Sequence, residues 1–482
     1  MPKKRAAATS TESAGATVRA IGQPVFAQPQ PTSDPTVFKV KHPSDADSYH
    51  KIDQLNAAHE LFATIIPNPR ATTSGTADEP VLTLEEVLGG NKAAIDGIEK
   101  NKQTVFHSCG DCGSMRGPKT QNEVTDKMVA DFDEAHAAGI PQFHFLLGDV
   151  VYNFGEVEYY YDQFYEPYRN YPAPILSAAG NHDGMVPPGE AVPSLRGYLR
   201  NFCTPGFVVL PEAGGLSRTA QVQPGVFYTF EAPFVRIFAI YSNTLEDPGV
   251  IADPTPGTTI GSAQLTFLKA ALSRARADAE SGKFRGAVIL AHHHPPFSMG
   301  SRHGWSAAMQ RQIDAVCEQV GFWPHVDLSG HAHNYQRFTR TRDLEIGKQA
   351  VENAQIPYVV CGNGGHALQK LRGQDGSALR APQIVQTAAQ GNRPKGIVGQ
   401  IVLENYDDTD YGYLRVIVDA MQVRIEYHPA GDGTDAKAPD DSVTVDLATR
   451  QLVHSKAPNL GEPRAAARVR ERETPYPRRR RS

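Results

Sequence analysis

The sequence is poor in cysteine and has no long hydrophobic segment. Its five cysteines among 482 residues are odd in number and widely spaced, which is not typical of a disulfide framework. No run of about 18 apolar residues occurs, so no transmembrane helix is predicted. The basic start, Met1 to Arg5, precedes a Ser/Thr/Ala-rich stretch and not the apolar core of a secretory signal. These absences predict reduced thiols and a cytoplasmic protein.

A large excess of charge of one sign is also missing. The net charge is −5, but residues 463–482 hold eight arginines against two glutamates, so this tail carries +6 and the rest, by subtraction, −11. An acidic body argues against a nucleic-acid-binding surface. The Arg-rich tail is the segment that would suit nucleic acid or another anionic partner. The sequence leaves the oligomeric state open.

The composition, with 40% hydrophobic and 21% charged residues, is that of a globular protein and excludes collagen-like, coiled-coil and wholly disordered chains. The N-terminal region is rich in Ala, Ser, Thr, Pro and Gln and is low in large apolar groups, which predicts disorder. Two helical patches follow, Ile52 to Ile65 and Leu84 to Ile98. The predicted segments are a disordered arm (1–36), an N-terminal extension (37–102), the main domain (103–450) and a basic disordered tail (451–482).

Short apolar strands alternate with helices in the main domain, which indicates a layered α/β fold. Helices with an apolar stripe are predicted at Glu123 to Ala138, after Ser262, and at Ala307 to Val320. The predicted buried strands are Val105 to His107, Phe143 to Leu147, Ile175 to Leu176, Val235 to Tyr241, Ala287 to Leu290, Val326 to Leu328 and Tyr358 to Val360. Four later strands without helices predict an antiparallel edge or a second sheet: Gly399 to Leu403, Tyr413 to Val418, Val423 to Tyr427 and Val443 to Val445.

Polar residues follow five of these strands at the point where each strand ends. Because ligands bind at the carboxyl ends of strands in α/β sheets, these side chains should converge in one crevice. Together they supply carboxylates, a carboxamide, imidazoles and a phenol, a mixed oxygen and nitrogen set that suits Zn, Mn or Fe. Two ions that share a carboxylate need about this number of ligands. The motifs are Gly110-Asp111-Cys112-Gly113, Gly148-Asp149-Val150-Val151-Tyr152, Gly180-Asn181-His182-Asp183, His292-His293-His294-Pro295 and Gly330-His331-Ala332-His333.

In this order the five motifs resemble the calcineurin-like metallophosphoesterase superfamily, and the first two look like its purple acid phosphatase branch. Most other branches have Asp-x-His in the first motif, where this sequence has Gly113. Tyr152 is available to replace the missing ligand. The resemblance covers about residues 103–430, including the later segments Cys361 to His366 and Gly412 to Val416. It implies a four-layer α/β/β/α sandwich.

The resemblance also implies a site for two metal ions, iron together with zinc, manganese or a second iron. Asp149 would bridge the two ions. His182 would contact the phosphate and assist the leaving group, and His303 would be a second histidine that faces the substrate. The first ion would be held by Asp111, Asp149, Tyr152 and His333, and the second by Asp149, Asn181, His293 and His331.

Some assignments remain open in the sequence. His293 fits the His-x-Pro pattern best, but His292 or His294 is an alternative ligand. Tyr152 is either a ligand or a buried aromatic residue beside a tyrosine-rich helix. Asp183 is expected to be a hydrogen-bond partner of the site and not a ligand.

The expected reaction is hydrolysis of a small phosphomonoester by metal-bound hydroxide, as in an acid phosphatase. Two cations about 3.5–4 Å apart stabilise the attacking and leaving oxygens and lower the pKa of bound water from about 15.7 toward about 7. A phosphodiesterase acting on cyclic nucleotides or lipid-derived diesters is the alternative, because the same motifs serve both reactions. A non-catalytic phosphate-binding module ranks lower, because the predicted ligand set is complete.

Overall fold

The computed structural model describes residues 19–20, 22–27 and 66–453, apart from residues 116, 135–136, 187–191, 243–248, 253–260, 301–302, 373–376, 378, 387–396 and 432–438. The predicted helix at Ile52 to Ile65, most of the predicted arm and the tail from residue 454 lie outside the described residues. The five cysteines are all described, and all are free thiols. No helix in the described part is long and apolar enough to cross a membrane.

The strands, in chain order, are β1 (Arg19–Ala20), β2 (Val81–Thr83), β3 (Thr104–Cys109), β4 (Phe143–Leu147), β5 (Ile175–Ala178), β6 (Val208–Val209), β7 (Tyr228–Ala232), β8 (Val235–Ala239), β9 (Ala287–Ala291), β10 (Val326–Ser329), β11 (Tyr335–Ile346), β12 (Gln349–Cys361), β13 (Gln383–Gln386), β14 (Gln400–Asp407), β15 (Gly412–Val418), β16 (Gln422–Pro429) and β17 (Asp441–Asp446). The α-helices are α1 (Leu84–Val87), α2 (Lys92–Asn101), α3 (Lys119–Glu134), α4 (Asn181–Gly184), α5 (Arg196–Phe202), α6 (Ala263–Glu280) and α7 (Ala307–Val320). Short 3-10 segments lie at Ala137–Gly139, Val157–Tyr159 and Pro211–Ala213, and a π-helical turn at Tyr161–Tyr165.

Within the described residues, the strands form two mixed sheets and one short pair, β1 with β6. Sheet I has the order β17-β16-β15-β3-β4-β5, and sheet II has the order β13-β14-β11-β12-β10-β9-β8-β7-β2. β3, β4 and β5 are parallel neighbours, and so are β8, β9, β10 and β12. Because parallel neighbours end at the same edge of a sheet, each sheet presents several strand ends together.

The two sheets pack face to face, and helices cover their outer faces. Phe143 of β4 meets Phe230 of β7 across the interface, with ring centroids 4.9 Å apart. On sheet I, Asp131 of α3 accepts a hydrogen bond from a tyrosine of β15 at 3.0 Å. On sheet II, Asp278 of α6 and Asp314 of α7 each pair with an arginine of the sheet. The layers therefore follow one another as α3, sheet I, sheet II, and then α6 with α7. This order confirms the predicted α/β/β/α sandwich.

Most predicted elements lie where the sequence placed them, with shifted ends. α7 has the predicted bounds, whereas α3 begins at Lys119 and not at Glu123. The helical patch predicted over Leu84 to Ile98 is divided into α1 and α2. Gly89 and Gly90 lie between them with φ values of 69° and 81°, a conformation that ends a right-handed helix.

The terminal strands are shared between the two sheets. β14 joins sheet II beside β11, whereas β15, β16 and β17 extend sheet I from β3 in antiparallel order. β11 and β12 form a long antiparallel pair, of which only Tyr358 to Val360 was predicted as a strand. Its tip is largely exposed and polar, so that part of the sequence has no apolar strand pattern.

Parts of both N-terminal segments belong to the fold. β1 pairs with β6, and Val25 exchanges hydrogen bonds with Thr219, so the prediction of disorder is wrong for residues 19–20 and 22–27. β2 is the edge strand of sheet II beside β7. The predicted N-terminal extension therefore contributes a strand to the main domain.

A buried ion pair joins the two sheets. Arg337 of β11 donates to both carboxylate oxygens of Asp441 of β17, at 2.7 and 3.1 Å. Tyr335 OH donates to the same carboxylate at 2.8 Å. The two charged side chains are 2% and 3% exposed, so this bidentate pair links sheet II to sheet I away from water.

Replacing Asp441 by alanine should lower the free energy of unfolding by about 3–5 kcal/mol, because Arg337 would stay buried without its partner. Arg424→Ala is the control, since its pair with Glu426 is partly exposed and should contribute less than about 1 kcal/mol. Urea unfolding followed by circular dichroism measures both changes. Equal losses in the two variants would contradict a special role for the buried pair.

Candidate metal centre

The five motifs lie at the carboxyl ends of β3, β4, β5, β9 and β10, and their loops are hydrogen-bonded to one another. Asp111 N donates to Gly148 O at 3.0 Å, which joins the loops after β3 and β4. Gly330 N donates to His293 O at 3.0 Å, which joins the loops after β10 and β9. His331 N donates to Asp111 Oδ2 at 2.7 Å. This last bond crosses from sheet II to sheet I, so both sheets build one site.

Three of the predicted ligands have a left-handed backbone. The φ values are 56° at Asp111, 55° at Asp149 and 68° at His331, a region that residues other than glycine rarely adopt. Such strain persists only where surrounding contacts impose it, and it is concentrated at functional sites. Gly180 allows the loops to close, because a Cβ there would lie 2.1 Å from Asp149 Oδ1.

Asp111, Tyr152 and His333 form the first group of predicted ligands. Tyr152 OH donates to Asp111 Oδ1 at 2.9 Å. His333 Nε2 lies 3.4 Å from that carboxylate oxygen and 3.4 Å from the phenol oxygen. All three side chains are buried, and their donor atoms are close enough to contact one cation.

Gly113 makes room for the Tyr152 ring. A Cβ at position 113 would lie 2.9 Å from Tyr152 Cδ2 and 2.5 Å from Gln163 Oε1. The Gln163 amide bonds both the backbone N–H and the carbonyl of Tyr152, at 3.0 and 2.7 Å. The glycine in the first motif and the tyrosine in the second are therefore sterically linked.

Asp149, Asn181, His293 and His331 form the second group. Asn181 Oδ1 lies 3.0 Å from both His293 Nε2 and His331 Nδ1, and these two nitrogens are 3.2 Å apart. Asp149 Oδ2 lies 3.1 Å from His293 Nε2. One donor atom from each of Asp149, His293 and His331 lies within 4.8 Å of the other two, and these three atoms could hold a metal ion. His293 Nε2 is also 4.0 Å from Asp111 Oδ1, so the two groups adjoin.

The surroundings of the Asp149 carboxylate suit a residue that binds a cation. Its Oδ1 accepts the backbone N–H of His182 at 2.8 Å, but its buried Oδ2 accepts no well-directed hydrogen bond from any described residue. A buried charged oxygen needs positive charge close to it; the ring of His293 lies 3.1 Å away, and a bound cation would supply that charge directly. Burial would raise the pKa of Asp149, but the imidazoles of His293 and His182 hold it well below its usual range.

Backbone carbonyls orient two of the histidines. His293 Nδ1 donates to Leu147 O at 2.7 Å, and His333 Nδ1 donates to Ala367 O at 3.0 Å. Because a carbonyl only accepts, Nδ1 carries a proton in each ring and Nε2 is the atom directed at the site, as is common for metal-binding histidines. Burial lowers the pKa of His293, but the two neighbouring carboxylates raise it to about 9, so a bound cation would displace the Nε2 proton at neutral pH.

The structure separates the three consecutive histidines. His293 lies in the second group, as described above. His292 Nε2 lies 3.0 Å from Asp327 Oδ2, and its Nδ1 donates to the carbonyl of His294 at 2.9 Å. His294 Nδ1 shares a hydrogen bond of 3.0 Å with Ser242 Oγ. Of the alternatives that the sequence left open, the geometry therefore favours His293.

Asp183 holds the backbone around Asp149. Its Oδ2 accepts the N–H groups of Asp149 and Gly180, each at 2.9 Å, and its Oδ1 accepts the N–H of Val150 at 3.1 Å. Burial and the charge of Asp149 raise the pKa of Asp183 to about 7. Its contacts are those of the hydrogen-bond partner that the sequence predicts.

The two predicted catalytic histidines border the ligand groups. His182 Nε2 lies 3.9 Å from Asp149 Oδ2, and its Nδ1 donates to Asn153 O at 2.6 Å. His303 Nδ1 lies 3.1 Å from His331 Nε2. The structure thus brings together all the residues that the sequence singled out for the site.

His366 is a site residue to which the sequence pattern assigns no role. Its ring stacks on Tyr152, with centroids 3.8 Å apart and the planes 9° from parallel. It also lies edge-on to His333, at 4.8 Å between centroids. The glycine-rich run of residues 362–365 immediately before it is the sequence feature that could have indicated its place at the site, because glycines permit close approach of two backbones.

A comparison with known families identifies the domain that carries this site. Residues 106–335 match the calcineurin-like phosphoesterase family, a range that includes every site residue predicted from the sequence. The chain therefore contains a calcineurin-like phosphoesterase domain and is a metal-dependent hydrolase of phosphoester bonds. A comparison with curated proteins found no match.

Solved structures give distant likenesses in fold. One is GAP50, the anchor in the inner membrane complex of Plasmodium, at 14% identity over 74% of this chain and 90% of that chain, with a TM-score of 0.44. Another is PhoD, at 13% identity over 73% and 72%, with a TM-score of 0.40. A predicted phosphoesterase from Streptococcus pneumoniae TIGR4 follows at 10% identity over 71% and 98%, with a TM-score of 0.27. Likenesses this distant do not bear on the function.

Replacing His293 by alanine should weaken metal binding more than about tenfold, because it removes a nitrogen from the second group. His292→Gln is the matched control, since that ring faces Asp327 and not the ligand groups. Elemental analysis after metal loading and dialysis measures the metal retained per chain. Loss of metal from the His292 variant alone would show that the wrong histidine was chosen.

Proposed function

We propose that the chain hydrolyses phosphomonoesters at a dinuclear metal site. The observation that supports two ions is the arrangement of the buried donors in two adjoining groups. Asp149 is proposed as the shared ligand, because its buried Oδ2 accepts no well-directed hydrogen bond from a described residue, and His293 Nε2 lies within 4.0 Å of both this oxygen and Asp111 Oδ1.

The first group, with its phenol and carboxylate oxygens, would hold iron, and the second would hold zinc, manganese or iron. Bound ions would supply Lewis acidity and lower the pKa of a coordinated water. The chain itself holds the donors in place with the carboxylate of Asp183 and the carbonyls of Leu147 and Ala367. These contacts reduce the reorganisation that binding and reaction require.

His182 and His303 would act on the substrate directly. The Nδ1–H of His182 is held by Asn153 O, so Nε2 is the atom available on the Asp149 side of the ring. In the protonated ring, that Nε2 proton can pass to the leaving oxygen as the phosphorus–oxygen bond breaks. His303, beside His331 at the border of the second group, can donate a hydrogen bond to a phosphoryl oxygen.

The two imidazoles support a monoester over a diester. Near neutral pH a phosphomonoester carries one more negative charge than a diester, and a hydrogen bond is strong when its acceptor oxygen is ionised. His182 and His303 lie beside the two ligand groups, and cations held by those groups would neutralise the remaining charge.

Turnover of para-nitrophenyl phosphate and of its bis-ester by metal-loaded protein tests this proposal. We expect the monoester to react faster, and Asp149→Asn to lower the rate more than about 100-fold through loss of the shared ligand. Asp133→Asn, on the exposed face of α3, is the control and should keep the wild-type rate. The release of para-nitrophenol measures the rate of turnover by the wild type and by both variants.

Faster turnover of the bis-ester would overturn the monoester proposal and favour a phosphodiesterase. Wild-type turnover in Asp149→Asn would overturn the site assignment. Two bound metals without turnover of either ester would favour a phosphate-binding module.

Ligation of iron by Tyr152 has its own spectroscopic test. A phenolate bound to ferric iron absorbs visible light by charge transfer, so aerobically iron-loaded protein should be coloured. Tyr152→Phe should abolish this band and weaken iron binding about tenfold or more. Tyr165→Phe, in which a buried phenol bonded to Asn201 is lost, should keep the band. A band that survives in Tyr152→Phe would contradict ligation by this residue.

A further inference from the structure

The loop that follows β12, here called the 362–367 loop, lies directly against the loop of Asp111. Gly364 N donates to Gly110 O at 3.0 Å, and His366 N donates to Asp111 O at 2.9 Å. Glycine is required for this contact, because a Cβ at Gly362 would lie 2.6 Å from Asp111 Oδ2. The 362–367 loop therefore has a fixed position relative to the first ligand group.

The His366 side chain is fixed within that arrangement. Its Nδ1 donates to Gly113 O at 3.0 Å, and the residue is 9% exposed. The imidazole plane lies 9° from the plane of the Tyr152 ring at 3.8 Å. The backbone of Tyr152 is held separately, by Gln163. Gln163 thus holds the backbone of Tyr152, and His366 contacts its ring.

We propose that His366 is a positioning residue that directs the Tyr152 phenol toward the first metal. This inference rests on the proposed function, because it requires a metal at that phenol. The phenol oxygen is at the end of a long rigid side chain, so a small rotation about the Cα–Cβ bond displaces it strongly. A flat ring stacked at 3.8 Å and bonded to Gly113 limits that rotation.

The same loop also orients a second ligand of the first group. The carbonyl of Ala367, the next residue, accepts the Nδ1–H of His333 at 3.0 Å and directs Nε2 toward Asp111. The 362–367 loop thus contacts all three members of the first group: Asp111 by its backbone, Tyr152 by the ring of His366 and His333 by Ala367.

Three variants of the 482-residue chain test the inference. His366→Ala removes the ring, His366→Asn removes stacking but keeps a side-chain donor for Gly113 O, and His366→Phe keeps a flat ring without the donor. A buried histidine elsewhere, in His325→Ala, is the control. For each protein the measurements are the visible band of the iron-loaded form, iron affinity, kcat and KM for para-nitrophenyl phosphate, and the melting temperature.

We expect His366→Ala and His366→Asn to shift or weaken the visible band, to lower iron affinity about 10-fold to 100-fold and to lower kcat more than they raise KM. His366→Phe should restore much of the band and of kcat, and His325→Ala should keep both. A merely structural role would lower the melting temperature without moving the band. If His366→Ala does not fold, the comparison of His366→Asn with His366→Phe decides whether the ring of His366 positions Tyr152.

A coloured, active wild type whose His366 variants keep the wild-type band and kcat would overturn the inference and leave the proposed function intact. Equal losses in the Asn and Phe variants would overturn the stacking role. A wild type that binds iron without a visible band would overturn ligation by Tyr152, and the inference with it. A wild type that turns over no phosphoester would overturn the proposed function.

Discussion

The placement of the buried Asp149 carboxylate is the constraint on which the rest of the site depends. A left-handed turn after β4, with its N–H groups held by Asp183, directs this side chain into the interior. One oxygen is satisfied by the backbone N–H of His182, and the other lies beside His293. A charge so deeply buried needs opposite charge close to it, which explains why imidazoles and a site suited to a cation surround it.

That placement requires both sheets. Asp111 and Asp149 come from sheet I, and His293 and His331 come from sheet II. The bond from His331 N to Asp111 Oδ2 closes the site, while the Arg337 pair with Asp441 joins the sheets elsewhere. The left-handed conformations at three of the predicted ligands cost free energy locally, and the packing of the sandwich offsets that cost.

Much of this arrangement was predictable, because buried parallel strands are continuous apolar runs and their polar ends are conspicuous in the sequence. From the sequence, His292, His293 and His294 could only be ranked as candidate metal ligands. The chain bends after β9 ends at Ala291, so that His292 faces Asp327 while His293 faces the site, and a run of identical residues does not reveal which is which. His366 was not assigned, because its partner Tyr152 is more than two hundred positions away. Residues 19–20 were predicted to be disordered but pair with β6, because two backbone strands can pair without an apolar pattern.

The sequence by itself determined the strand-and-helix order, the chemical types of the donors and the strand ends at which they stand, because these depend on local periodicity and on residue chemistry. The tertiary structure alone decided which nitrogen of each histidine faces the site, how the donors divide into two groups and which loop lies behind the Tyr152 ring. Those features depend on distances between segments far apart in the chain, and such distances are set by the packing of two sheets and not by any local pattern.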